Sequence, residues 1–110
     1  MVRPSSIWRA SQYLGDPAFQ TVWAELNRRK AVVFIHPAKP KIDAILGTRG
    51  PVLDYPFDTT RTAVQMVLNS VIARNPDVRI ILSHAGGFLP YASHRVCGTC
   101  SRCAQGCANH

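Results

Sequence analysis

The sequence predicts an α/β fold built on a pair of parallel strands, and three observations carry that reading. Two short apolar runs rich in β-branched residues, Ala31-Val32-Val33-Phe34-Ile35 and Arg79-Ile80-Ile81-Leu82, read as strands. An amphipathic segment lies between them, so the second strand returns through a helical crossover, with parallel strands and right-handed sense. A histidine stands just past each run, His36 after the first and His84 after the second. Continuous apolar runs of this kind are expected to be buried on both faces. In α/β sheets the carboxyl ends of strands carry the chemistry, so the two histidines are candidates for one shared site.

The elements follow in order. Residues 1–11 show no clear pattern. Tyr13-Leu14-Gly15-Asp16-Pro17 reads as a turn into a helix, with Asp16 as N-cap and Pro17 at the first helical position. Phe19, Val22, Trp23 and Leu26 recur at helical spacing over residues 17–30, and Trp23 belongs to the core. Arg28-Arg29-Lys30 fits the last turn, where cations complement the helix dipole. Pro37 ends the first strand. Residues 38–58 form a long irregular connection, rich in Pro, Gly and Lys, of the kind that often serves binding. Asp58 or Thr59 is the expected cap of the next helix. Its apolar stripe is Val64, Val67, Leu68, Val71 and Ile72, and it is expected to end near Arg74 before Asn75-Pro76-Asp77. After the second strand, Gly86 and Gly87 permit a sharp turn or a close approach to a ligand.

Composition narrows the function classes. A chain of 110 residues with 46% hydrophobic content supports one modest domain with a core. It is too short for a complete (β/α)8 barrel, which takes about 200 residues or more. The net charge is +7, but the 13 Lys and Arg are scattered and no nucleic-acid module signature is present, so no nucleic-acid partner is expected. No apolar run reaches the ~18 residues needed to span a membrane, and the first residues lack the apolar core of a signal peptide. The expected compartment is cytoplasmic.

The character changes after Arg95, which divides the chain into residues 13–95 and a Cys-rich tail, 96–110, expected to be disordered. Cys97, Cys100, Cys103 and Cys107 have the C-x2-C-x2-C-x3-C spacing of a bacterial iron–sulfur run, with Ala108 where proline usually follows. Three readings stay open: an adventitious end such as an out-of-frame read, a metal knuckle for zinc or a cluster with His110 nearby, and a redox-sensitive tail.

Three stretches, YLGDPAFQTVWAELNRRKAVVFIHP, PFDTTRTAVQMVLNSVI and NPDVRIILSHAGGFLPY, resemble in order the amidohydrolase-related (amidohydrolase 2) family. The likeness is strongest to its metal-dependent non-oxidative decarboxylases of the 6-methylsalicylate and aminocarboxymuconate-semialdehyde type. The resemblance implies a fragment of a distorted TIM-like (β/α)8 barrel, about strands five and six with their helices. It implies that His36 is a metal ligand, for Zn2+ or Mn2+, and that His84 is the catalytic acid/base group. Arg95, eleven residues beyond His84, would bind the substrate carboxylate. The family's His-x-His pair and its late aspartate ligand have no match here. The implied activity is therefore a carboxy-lyase on aromatic or unsaturated carboxylic acids, weak or inactive in this chain alone. The implied partners are a small aromatic carboxylate and either another copy of the chain or a full-length homologue. Two alternatives are a non-catalytic fragment that binds or modulates such a homologue, and a small Cys-rich metal-binding module.

Overall fold

The computed structural model describes residues 13–38 and 47–99. A single 3-10 turn, Pro17–Phe19, leads into α1 (Gln20–Arg28), and strand β1 follows (Val32–Ile35). Helices α2 (Asp54–Leu68) and α3 (Val71–Arg74) connect to β2 (Arg79–Leu82). A second 3-10 turn, His84–Gly86, precedes α4 (Leu89–Thr99). β1 and β2 pair in parallel, with Val32 beside Arg79 and Ile35 beside Leu82. The register sets the two strand ends, and the residues that follow them, side by side.

Asp16 caps the first turn as its residue type predicts: its carboxylate accepts from the Ala18 N–H at 2.8 Å. Trp23 is buried, and its indole N–H donates to the Leu14 carbonyl at 2.8 Å. A buried indole needs such an acceptor. Arg28 and Arg29 both pair with Glu25 on the exposed end of α1. The segment Tyr13–Gly15 is clipped onto α2. The Tyr13 hydroxyl donates to Asp58 at 2.8 Å, the Gly15 N–H to the Gln65 side chain at 3.0 Å, and the Asn69 amide to the Gly15 carbonyl at 2.8 Å. Gly15 lies so close to the α2 backbone that a Cβ there would stand 2.8 Å from the amide nitrogen of Met66.

The core is one layer deep. Leu14, Trp23, Val33, Ile35, Met66 and Val71 form it, with Phe19, Leu26, Ile80 and Leu82 packed at its margin. Among the described residues, only the helix-facing side of the sheet is covered. Ile35 is 0% exposed while its neighbour Phe34 is 44% exposed, and Val32 and Ile81 share the open face. The expected burial on both faces is therefore not met: the described helices supply one layer, and side chains alternate between the faces of a strand.

Helix α2 differs from its expected form in three ways. It begins at Asp54, so Asp58 and Thr59 are buried in its interior and neither is the cap. Pro56 is tolerated because a first-turn residue has no helical acceptor for its missing N–H, and Asp54 suits the positive end of the dipole. The buried row is Thr59, Thr62, Ala63 and Met66, whereas Val67, Leu68 and Ile72 of the expected stripe are exposed. Thr62 can face the core because its hydroxyl bonds back to the Asp58 carbonyl at 2.9 Å. Finally, the helix breaks at Ser70, whose φ of 59° is left-handed, and restarts as α3.

Candidate functional site

The two strand ends bring His36 and His84 together. Their ring centroids lie 4.9 Å apart, with the planes inclined at 61°. Tyr55, in the first turn of α2, meets both: its ring centroid is 5.8 Å from each imidazole, edge-on to His36 and tilted to His84. Phe34 adjoins the cluster from β1, 6.3 Å from His36. Sequence reasoning missed Tyr55, because it falls inside the stretch read as irregular loop. The available signal was Asp54-Tyr55-Pro56, an acidic residue and a proline at first-turn spacing.

The two imidazoles are held differently. His36 is half-buried, and its Nδ1 stands 2.7 Å from the Pro37 carbonyl oxygen. A carbonyl only accepts, so Nδ1 carries the hydrogen and the neutral ring keeps its lone pair on Nε2. His84 is exposed, and its Nδ1 stands 3.0 Å from the Ser83 hydroxyl, which can donate or accept. Partial desolvation of this otherwise exposed ring, and to a lesser degree the charge of neighbouring His36, holds His84 below the ordinary histidine pKa. Around neutral pH that favours the uncharged ring.

Of the remaining sequence candidates, Arg95 and Cys97 are carried by α4. α4 runs through Thr99, so 96–99, assigned to the tail from sequence, are helical. Cys97 is disulfide-bonded, and it can ligate a metal only after reduction to a thiolate. Cys100, Cys103 and Cys107 fall outside the described residues. Gly86 and Gly87 do make a sharp turn, but the close approach is to α2: a Cβ on Gly87 would meet Pro56 and Thr60.

With this geometry established, comparison with known proteins is decisive. The profile of the amidohydrolase family matches residues 1–100. The chain belongs to the amidohydrolase family. Decarboxylase yanB of Aspergillus niger is 53% identical to this chain over 90 residues, covering 76% of this chain and 24% of the relative. The 6-methylsalicylic acid decarboxylase acuB of Aspergillus aculeatus is 46% identical over 89 residues, covering 79% and 27%. The chain thus spans about a quarter of the length of the curated relatives it matches (24% and 27%). Among solved structures, an amidohydrolase II aligns with a TM-score of 0.76 at 30% identity, over 86% of this chain and 32% of that one. A 2,6-dihydroxybenzoate decarboxylase in complex with 2,6-dihydroxybenzoate aligns with a TM-score of 0.69 at 24% identity, over 79% and 29%, a likeness of fold.

No group of three or more His, Cys, Asp or Glu side chains among the described residues is placed to hold an ion. His36 nevertheless has the right form for a ligand, since a carbonyl partner on one ring nitrogen fixes the tautomer and presents the other. No helix among the described residues is long and apolar enough to cross a membrane.

Proposed function

We propose that this amidohydrolase chain supplies the His36–His84 portion of a metal-dependent decarboxylase site acting on an aromatic carboxylic acid of the 6-methylsalicylate kind. The observation that carries the reading is the imidazole pair at adjacent parallel strand ends, with Tyr55 beside both rings. The relatives named as decarboxylases support the reaction class. The two strands correspond on this reading to the fifth and sixth of the family barrel.

His36 would hold the metal through Nε2. When bound, a Zn2+ or Mn2+ ion supplies Lewis-acid polarisation of the substrate's carboxylate or phenol oxygens. The chain's own residues supply the rest. Loss of carbon dioxide leaves an electron pair on a ring carbon, and that carbon must take a proton. His84 carries it. The ring, neutral at rest near pH 7, takes that proton from solvent and passes it to the carbon, and a lowered pKa makes the protonated ring a stronger acid. The Tyr55 ring gives an aromatic substrate an apolar wall. Arg95 would bind carboxylate through its planar fork. A catalytic zinc takes about three protein ligands, so the ligands beyond His36 must come from outside the described residues. The reading includes a cytoplasmic enzyme that assembles as a homo-oligomer or with a full-length homologue.

A graft tests this. Residues 13–95 replace the matching segment of the Aspergillus aculeatus decarboxylase, and carbon dioxide release from 6-methylsalicylate is followed. The chimaera should be active, and His36→Ala and His84→Ala should each lower activity by about 100-fold or more, the scale of a lost acid/base group. A chimaera whose activity survives both substitutions would overturn the reading. The 110-residue chain alone should release little or none.

A further inference from the structure

We propose that Thr60, on α2, is a positioning residue that latches the turn after β2 and so holds His84 against His36; this deepens the two-histidine reading above and rests on it. The turn needs holding. His84, Ala85, Gly86 and Gly87 have φ of 52°, 51°, 81° and 65°, four consecutive residues on the left-handed side. Two of them carry a Cβ, for which that conformation is unfavourable. The start of the turn is anchored to β1 by the Ser83 N–H, which donates to the Ile35 carbonyl at 3.0 Å; the bonds beyond it, from the Gly86 N–H to the Ser83 carbonyl and from the Gly87 N–H to the His84 carbonyl, are local and leave the far end of the turn to be held.

Thr60 supplies the tie. Its hydroxyl accepts from the Phe88 N–H at 2.8 Å and donates to the Pro56 carbonyl at 2.7 Å, so one oxygen joins the end of the turn to the first turn of α2. Thr60 is buried, which shields both bonds from water. Gly87 lies flat on this spot, where a Cβ would run into the Pro56 carbonyl and come within 2.8 Å of the Thr60 hydroxyl. The Phe88 ring then packs on Phe57 at 4.7 Å. The helical turn that receives the latch is also the one that presents Tyr55 to both imidazoles. With Ser83 fixed to β1 at one end, the seating of Gly87 and Phe88 on α2 fixes the other, and His84 is held between them beside His36.

The test uses the 110-residue protein and proton NMR of its imidazoles. Thr60→Val keeps the shape and removes both hydrogen bonds, while Thr60→Ser keeps the hydroxyl. The wild type should show a nuclear Overhauser contact between the His36 and His84 rings. Thr60→Val should remain folded, lose that contact, and shift the His84 ring resonances toward those of a free histidine; Thr60→Ser should retain it. A folded Thr60→Val protein with the contact intact would overturn the latch, and so would loss of the contact in Thr60→Ser. Where Thr60→Val does not fold, Gly87→Ala carries the test, with loss of the contact expected and its retention contradicting the proposal. Carbon dioxide release plays no part in the readout, so failure of the latch and failure of the carboxy-lyase reading are told apart.

Discussion

The two strand ends make an instructive pair. Both place a histidine past the last apolar residue of a parallel strand, yet each holds its ring in a different way. At β1 the chain runs on into Pro37, and His36 is pinned by a carbonyl that can only accept. At β2 the chain turns through left-handed residues, and His84 rests on a hydroxyl that can give or take a proton. The first arrangement fixes the tautomer of the neutral ring, with its lone pair on Nε2. The second tolerates a change of protonation. On this comparison, equivalent positions in a fold acquire the proposed roles of ligand and acid/base group from the single atom that each Nδ1 meets.

The comparison can be broken from below. Ile35→Ala, in the fully buried position preceding His36, should cost about 2–5 kcal/mol in urea unfolding, whereas half-exposed Phe34→Ala should cost less than half as much. Equal costs would mean that the open face of the sheet is covered in solution. Away from both ends, Tyr13→Phe removes the hydrogen bond to the Asp58 carboxylate, whose second oxygen has no partner among the described residues. It should destabilise by about 1–3 kcal/mol, since a buried polar group loses its partner. The same variant should leave the His36–His84 contact in place; a disturbed ring pair would show that the ends are coupled to the Tyr13–Gly15 clip.

Much of this architecture was legible in the sequence. Asp16 and Pro17 marked the first turn, Trp23 the core, and the apolar runs the strands, because capping, helical spacing and β-branching are local signals. The histidine pair was legible because both strands end in the same residue type. What was not legible depends on tertiary packing. Threonines form much of the buried face of α2: the Thr60 and Thr62 hydroxyls bond back into the helix, the buried Thr59 hydroxyl has no partner among the described residues, and a search for apolar periodicity passes over all three. Tyr55 was hidden because Pro56 reads as loop until it is seen as a first-turn proline. The single-layer burial of the sheet depends on which elements are present to cover it, and strand residues alone do not say.

Smaller effects sharpen the contrast between the rings. His84 is held below the ordinary histidine pKa of about 6.5, so the unfolded chain takes up a proton there first as pH falls. The folded state should therefore be insensitive to this group above that value and lose stability as pH falls below it. His84→Gln should flatten this part of the stability–pH curve. His36→Gln should raise the His84 pKa only partway, because desolvation is the larger cause and the His36 charge the lesser. A full return to the ordinary value in His36→Gln would reverse that order. Smallest of all, Ser83→Ala should alter the His84 ring environment while leaving the fold within about 1 kcal/mol of wild type, the scale of one hydrogen bond.

The most direct test of the two-role comparison is the tautomer of His36, read from two-bond proton–nitrogen couplings in protein with 15N-labelled histidine at pH 7.5. The geometry predicts hydrogen on Nδ1 and a bare Nε2, with the nitrogen shifts of a single neutral tautomer. Hydrogen on Nε2, or an even mixture of the two forms, would contradict it: His36 would then have no committed lone pair, and the distinction between the strand ends would be lost.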